Sequence, residues 1–397
     1  MKPHATRRKH IVLLGVLLGT CVGGWSQDVP TDNARPVGNV ADVDQTLPVL
    51  SLRFDEKDQK SIRMIAPIYE APLQCGTDGT IYINSYVPPK FTTHELFAFL
   101  PDGGARDFNM AEIPDLYLGG YGPRAWYPGK SSVGLLLTAL PQSEVQELLS
   151  SPNGETQALR QLGQQGRAYI ARFSTDGGYL SYAPLSIPSF KPGKIAVLDS
   201  GEFIVLGVDR VTNTPRIALV DKSGALERYI ELPGGLPTES ALMPASRFNT
   251  EEKDEAAFVS EIQALGFYQM VRHGGAVLML LPGSAGPLFE IGPGGSVLTV
   301  PLTAPKGFVL DSALPSDEGL YLRFRRAGTN DGKHDDAAVW QVSEAGGVPT
   351  ERIDLGDLTL WDVICVDHGA FKVIRPGPTP QQARLLSGKA IPADNSN

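Results

Sequence analysis

A short strand–turn–strand pattern recurs along the whole chain and constrains its fold more than any other feature. The segment LQCGTDGTIYINSYV, Leu73–Val87, alternates apolar and polar residues around a Gly/Asp turn. Similar inner hairpins begin near Leu116, Lys194, Gly266, Gly307 and Leu360, and outer hairpins such as LFAFLPDGGARDF lie between them. Each inner–outer set predicts four antiparallel strands, recurring about every 45–50 residues where no insertion intervenes.

Four-stranded units at this period are typical of a β-propeller, because blades packed around an axis bury each other's faces and leave short edges. We therefore expect an all-β protein of six four-stranded blades. The N-terminal segment VLSLRFDEKDQKSIRMIAP, Val49–Pro67, is an unmatched hairpin pattern. It is predicted to complete the sixth blade beside the C-terminal strands, as one strand or two. A seven-bladed ring is the main alternative, and a two-sheet sandwich is the second.

In repeat period and turn placement the chain resembles six-bladed propellers of the NHL-like and TolB-like type, which are common among exported bacterial proteins. The resemblance covers nearly all of residues 48–390. It does not extend to a WD, kelch, YWTD or NHL consensus. What it implies is a fold, because propellers host many unrelated functions.

The first 26 residues have the features of a signal peptide. Lys2, Arg7, Arg8 and Lys9 precede the apolar segment IVLLGVLLGTCVGG, and cleavage is predicted near Ser26–Gln27. A retained anchor is one alternative; lipidation of Cys21 is another, although Thr20 fits a lipobox poorly. We expect a linker over residues 27–47, one propeller domain over 48–390 and a disordered tail over 391–397. The mature protein would be periplasmic or secreted.

Charge narrows the possible partners. Without residues 1–26 the chain has 31 basic and 44 acidic side chains, a formal charge of −13. Nucleic acids and anionic membranes require clustered cations, so the composition argues against both as general partners. No other segment approaches membrane-spanning length. A protein, a peptide or a glycan remains as the expected partner.

Two segments break the strand pattern. Pro141–Gly166 contains two short helical patterns, and Asn249–Gly266 has the cap, the acidic first turn and the apolar face of an amphipathic helix. In a blade, the connection between the second and third strands and the connection to the next blade lie at the same end. Both insertions are therefore predicted on one face, where loops on a rigid scaffold often carry function.

Metal-ligating residue types fall on the connections predicted at that face. His94 lies in one, and His334 lies in another with three carboxylates close in sequence. Imidazole and carboxylate groups at one mouth could hold a divalent cation that polarises a substrate or activates water. A solvated acidic loop is the competing interpretation. The candidate ligands are His94, Asp331, His334, Asp335 and Asp336.

A glycine-rich loop, YLGGYGPRAWYPGK (Tyr117–Lys130), concentrates aromatic side chains. Tyr121, Arg124, Trp126 and Tyr127 could bind a peptide, a glycan or a protein. The competing interpretation is that the aromatic rings pack back onto the blade or onto a neighbouring helix. The loop is predicted to replace a tight turn, on the face opposite the helices.

Two cysteines remain after cleavage. Cys75 and Cys365 each stand four residues before a turn glycine, in the first and last inner hairpins, which are neighbours in a closed ring. A disulfide and a pair of buried free thiols are both compatible with this placement. Glycine pairs mark other turns, and we expect left-handed backbone at Gly178 and Gly275.

The chain lacks the motifs G-x-S-x-G, H-E-x-x-H and G-x-x-x-x-G-K-[ST]. The favoured hypothesis is therefore a non-catalytic, exported propeller that binds a ligand or a protein at its helix-decorated face. The alternative is a metal-dependent propeller hydrolase or lyase with its site at the axial mouth.

Overall fold

The computed structural model describes residues 47–54, 60–63, 73–86, 94–102, 104–120, 122–236, 268–281, 286–327, 337–344, 347–356, 358, 362–376 and 382–392. These residues are mostly β-strand, in five sheets with a propeller-like arrangement. The prediction of an all-β, propeller-like protein is confirmed.

The strands are numbered in chain order. The N-terminal strands are β1 (Val49–Phe54) and β2 (Lys60–Arg63). The first sheet contains β3 (Leu73–Cys75), β4 (Ile81–Tyr86), β5 (His94–Phe99) and β6 (Ala105–Phe108). The second contains β7 (Leu116–Tyr117), β8 (Ala125–Pro128), β9 (Ser132–Pro141), β10 (Arg167–Ser174) and β11 (Tyr179–Pro184).

Two further sheets have four antiparallel strands each. The third sheet contains β12 (Phe190–Val197), β13 (Phe203–Asp209), β14 (Thr214–Val220) and β15 (Leu226–Ile230). The fourth contains β16 (Gln269–His273), β17 (Ala276–Leu280), β18 (Leu288–Ile291) and β19 (Val297–Val300).

The fifth sheet has nine strands, because an N-terminal strand joins two antiparallel sets. One set is β20 (Phe308–Leu314), β21 (Leu320–Arg326), β22 (Ala337–Val342) and β23 (Pro349–Asp354). The other is β24 (Val363–Asp367), β25 (Ala370–Pro376) and β26 (Gln382–Pro392). β1 pairs parallel with β23 and antiparallel with β26, and β2 continues along β26.

The N-terminal strands thus pair with β26, the outer strand of the C-terminal set, and β1 also pairs with β23 on its other side. Leu50 pairs with Pro392 and Lys60 with Leu385, so β1 and β2 follow one another along the same edge of β26. The sequence left open whether this segment supplies one strand or two, and the structure has two. β26 ends at Pro392, two residues beyond the predicted domain boundary at 390.

Burial explains why β13 and β17, the second strands of the third and fourth sheets, are almost entirely apolar rather than alternating. β13 (FIVLGVD) is buried at every position but the last, and β17 (AVLML) is buried at every position. Both faces of such a strand pack against neighbouring sheets, so both sets of side chains leave water. Outer strands such as β11 keep exposed positions, because they lie at the rim.

The first strands of the sets contact one another in a closed circuit, β3–β8–β12–β16–β20–β24–β3. These are edge strands with unpaired backbone groups facing the axis. Side chains from adjacent sets satisfy several of those groups: Gln74 donates to the Trp126 carbonyl at 2.9 Å, and Arg323 donates to the Val363 carbonyl at 3.1 Å. Lys194 bonds the Tyr268 carbonyl in the same way.

The sheets have two distinct ends. The "turn end" carries the turns that join first to second and third to fourth strands, such as the Gly129–Ser132 turn closed by a 2.9 Å hydrogen bond. The "helix end" is the opposite one. Helices α1 (Gln142–Leu149) and α2 (Gly154–Gln165) lie there, between β9 and β10. The two helices predicted in Pro141–Gly166 are confirmed, and the helix predicted over Asn249–Gly266 lies outside the described residues.

Backbone conformation corrects the predicted turn glycines. Gly177 and Gly274 have φ of +88° and +55°, whereas Gly178 and Gly275 are not in the left-handed region. Each prediction was one residue late. The amide of Gly177 bonds the Ser174 carbonyl at 3.0 Å to close the turn, and Gly178 already returns to the strand.

Candidate functional site

Most of the predicted metal ligands lie outside the described residues. This holds for Asp331, His334, Asp335 and Asp336. His94 is the first residue of β5 and pairs with Tyr86, but nothing is described of its side chain. Within the described chain, no group of three or more His, Cys, Asp or Glu residues could hold a metal ion. The divalent-metal hypothesis therefore stays a prediction.

The aromatic loop occupies a different place from the predicted one. β7 pairs with the last residues of β9 and β8 pairs with its first half, so residues 118–124 interrupt the inner strand on the helix side. The turn itself is short and lies at Gly129–Ser132. The prediction placed the whole loop Tyr117–Lys130 opposite the helices. Its last residues form the turn on that side, whereas the residues between β7 and β8 lie on the helix side of β8.

The aromatic side chains of this loop are core residues. Trp126 is 5% exposed and Tyr127 is 2% exposed. Gly119 has φ of +62°, and a β-carbon there would lie 2.6 Å from Leu159 on α2. The segment therefore packs onto the helix, which is the competing interpretation of the sequence. Trp126 and Tyr127 are not available as a binding platform, Tyr121 lies outside the described residues, and Arg124 is exposed.

The helices are held against the second sheet by a small apolar cluster and an ion pair. Val145 of α1 and Leu162 of α2 are buried against Leu140 at the end of β9. Arg167 and Glu144 pair at 2.9 Å at the base of the insertion. The helix end of this sheet is thus a packed, ordered surface rather than an open loop.

Three cations meet at the helix end of the second and third sheets. Arg124 precedes β8, and its amide bonds the Leu136 carbonyl at 2.8 Å. Lys191 is the second residue of β12, which contacts β8. Arg210 follows β13, and its amide bonds the Ser189 carbonyl at 2.7 Å. We call Arg124, Lys191 and Arg210 the cation cluster.

The pKa of Lys191 shows that the charges of the three residues interact. Burial lowers the pKa of Lys191, and the charges of Arg124 and Arg210 lower that pKa further. Arg124 is exposed by surface area, yet neighbouring atoms remove enough water to lower its pKa as well. The sequence analysis named Arg124 but missed Lys191 and Arg210. They are distant from it in sequence, and only the β12–β13 pair and the packing of β8 against β12 bring the three together.

At the turn end, the side chain of a buried arginine, Arg272, lies at the axis of the ring. Arg272 of β16 is 5% exposed; it pairs with Asp317 and donates to the Gly76 carbonyl at 3.1 Å. Gly76 follows β3, which lies opposite β16 in the circuit of first strands. The side chain therefore spans the centre of the ring. Sequence reasoning missed it, although an arginine within the strand MVRH is an unusual core residue.

The phenol of Tyr127 belongs to the same axial cluster. Burial raises its pKa, Asp199 and Asp317 raise it further, and Arg272 opposes them. The Tyr127 Oη and Arg272 Nε atoms are both buried without a hydrogen-bond partner among the described residues. Polar groups from several sheets thus close the axis at the turn end.

Cys75 and Cys365 form a disulfide bond, with Cα atoms 6.0 Å apart and 290 residues between them in sequence. Both residues are buried. Of the two arrangements left open by the sequence, the structure has the bonded one. The bond joins β3 to β24, where the first and last inner strands meet.

Comparison with known proteins does not assign a family. No protein-family model matches the chain, and no curated protein matches it. Neither helix of the described residues has the length and hydropathy of a membrane-spanning segment.

Solved structures similar to this chain have low identity. A streptogramin B lyase is 11% identical with a TM-score of 0.36, covering 83% of this chain and 97% of its own. Regucalcin from Agrobacterium tumefaciens is 13% identical with a TM-score of 0.38, covering 87% and 97%. A puromycin hydrolase is 14% identical with a TM-score of 0.39, and this chain spans only 43% of it. At these values the similarities say nothing about a ligand or a reaction.

Proposed function

We propose that the protein is an exported, six-bladed propeller of the NHL-like or TolB-like type that acts as a non-catalytic binding module at its helix end. In this proposal residues 1–26 are the signal peptide, residues 27–47 a linker and the remainder one domain. The six-blade count is supported by the circuit of six first strands and by the parallel β1–β23 pair, which divides the nine-stranded sheet into two blades.

The difference between the two ends carries the binding proposal. At the turn end, short turns surround an axis that Arg272, Asp317 and Gly76 fill. At the helix end lie α1, α2, the inserted segment 118–124 and the cation cluster. A ligand needs accessible polar groups on a rigid surface, and the helix end has them in the described part of the chain.

A site-blocking experiment tests where the partner binds. Gln157 on α2 and Ser223 in the turn after β14 are both exposed, at the helix end and the turn end respectively. We would make Gln157→Cys and Ser223→Cys in the chain from residue 27 onward, attach a bulky maleimide polymer to each, and screen glycan and peptide arrays. Binding should be lost only with the polymer at position 157. Loss only at position 223, or at neither position, contradicts the proposal.

The metal-dependent hydrolase or lyase remains the alternative function, with His94, Asp331, His334, Asp335 and Asp336 as ligands. Elemental analysis of protein purified without chelator separates the two. The binding-module proposal expects no stoichiometric divalent metal. A stoichiometric metal that is lost in the double variant His334→Ala, Asp335→Ala would favour the enzyme instead.

A further inference from the structure

The cation cluster brings like charges close to one another. Its members come from three separate places in the chain: the residue before β8, the start of β12 and the residue after β13. Pairing of β12 with β13 brings Lys191 and Arg210 together, and packing of β8 against β12 adds Arg124. Like charges brought close in partly desolvated surroundings repel each other. The whole chain is acidic, with a formal net charge of −9, so chance clustering of cations is not its general pattern.

No carboxylate of the described residues pairs with the side chain of Arg124 or Arg210. The carboxylate beside them in sequence is Asp209, and it is engaged elsewhere. One of its oxygens accepts from the amides of Val211 and Thr212 at 2.8 and 3.2 Å. The other lies 3.6 Å from the Arg216 guanidinium. The guanidinium groups of Arg124 and Arg210 are thus exposed and have no carboxylate partner among the described residues.

We propose that Arg124, Lys191 and Arg210 bind an oxyanion group, a carboxylate or a phosphate, carried by the ligand of this protein. This inference rests on the proposed function, because it names the ligand chemistry of the helix end. Guanidinium groups match carboxylate and phosphate oxygens with two parallel hydrogen bonds, and the lysine adds a point charge. The bound anion would relieve the repulsion within the cluster.

The test uses the full chain and three defined probes: citrate, inorganic phosphate and an oligogalacturonate. Each is titrated by calorimetry against wild type at constant ionic strength, with chloride as the reference anion. At least one probe should bind with affinity that falls as salt rises. Citrate or oligogalacturonate binding without phosphate binding indicates a carboxylated ligand, and the reverse indicates a phosphorylated one. No binding of any probe up to tens of millimolar overturns the inference.

Charge-removing variants locate the site. Arg124→Ala and Arg210→Ala should each weaken the bound probe about tenfold, and the double variant more. Arg160→Ala removes the same charge from the exposed face of α2 at the same end, and it should change the affinity less than twofold. Equal losses in Arg160→Ala and Arg124→Ala would show a general charge effect and overturn the inference.

The two proposals fail separately. If the polymer at position 157 abolishes array binding but the Arg124→Ala, Arg210→Ala double variant still binds every array partner normally, the helix end is a binding surface and the oxyanion site is wrong. Because both arginines are exposed and repel their cationic neighbours, the variants should melt at or slightly above the wild-type temperature. Arg124→Lys with Arg210→Lys, which keeps the charge, should retain part of the affinity even if truncation disturbs folding.

Discussion

Single turn residues at the turn end adopt backbone conformations that few side chains tolerate. Gly274 has φ of +55°, and its neighbour Gly275 does not lie in that region. His368 adopts φ of +49° without being glycine, and its ring nitrogen lies 2.7 Å from the Asp367 carboxylate. That contact raises the pKa of the imidazole. A glycine and a polar residue with a local hydrogen bond thus both adopt the positive φ that these turns require.

Replacing each glycine of the Gly274–Gly275 pair by alanine tests this assignment. Gly274→Ala should lower the free energy of unfolding by about 1–2 kcal/mol, because the left-handed region strains a β-carbon even in open space. Gly275→Ala should change it by less than about 0.5 kcal/mol, since its β-carbon would meet only the Asp199 carboxylate at 3.6 Å. Urea unfolding of both variants measures the difference, and equal values would contradict the assignment.

Lys194 predicts a pH dependence of stability. Burial lowers its pKa to about 8 from the ordinary 10.5. Between these values the unfolded chain binds more protons at this position, so the lysine's destabilising effect is full below pH 8 and fades as the pH rises toward 10.5. Lys194→Met removes this titration. The stability of wild type relative to the variant should rise by up to about 3 kcal/mol across that window.

Chemical unfolding of wild type and Lys194→Met at several pH values measures this difference in the free energy of unfolding. Titrations common to both proteins, including those of tyrosines, cancel in the difference. A difference between wild type and Lys194→Met that is independent of pH from 7 to 10.5 would show that the lysine is not desolvated in the folded protein.

At the scale of elements, the N-terminal strand covers an edge that would otherwise be open. β1 pairs with β26 over residues 50–54 and 388–392 and with β23 in parallel. Its side chains Leu50, Leu52 and Phe54 pack against the core of the fifth sheet. Phe54 also fits over Gly388, where a β-carbon would lie 2.6 Å from the ring. One short strand therefore protects a long exposed edge from pairing with other chains.

Truncation tests the role of β1. A chain beginning at residue 55 should melt well below wild type and aggregate on concentration, because β26 and β23 lose their partner. A chain beginning at residue 47 keeps β1 and is the matched control. Scanning calorimetry with light scattering reports both properties. Equal melting of the two truncated chains would contradict the role of β1 in closing the sheet.

At the scale of the whole molecule, closure depends on covalent and non-covalent links between the first and last strands. β24 contacts β3, and the Cys75–Cys365 bond joins them. The backbone amide of Val366 bonds the Pro315 carbonyl at 3.0 Å, which continues the connection toward β20. A bond closing a loop of this length limits the unfolded chain strongly.

Removing the disulfide should lower stability without changing the fold. The double variant Cys75→Ser, Cys365→Ser should lose about 2–5 kcal/mol of unfolding free energy. Reductant should bring wild type toward the variant's melting temperature and leave the variant itself unchanged. If wild type and variant melt together under oxidising conditions, the bond does not constrain the ring.

The local pattern of the sequence was sufficient to predict the strands, the tight turns and the two helices of Pro141–Gly166. Alternation and turn residues act over a few neighbours, so the hairpin at Leu73–Val87 is visible without a structure. The position of segment 118–124 was not visible in this way. It depends on which half of β9 each of β7 and β8 pairs with, and that is a long-range choice.

The sequence by itself determined that the chain is a repeat of antiparallel strands, because burial of alternating side chains and turn chemistry are local effects. Only the tertiary structure decided that Trp126 and Tyr127 are core residues, that Arg272 spans the axis and that Arg124, Lys191 and Arg210 stand together. Arg272 meets Gly76 from 196 residues away. Contacts at such separations depend on the order of sheets around the axis. That order cannot be predicted from local sequence patterns.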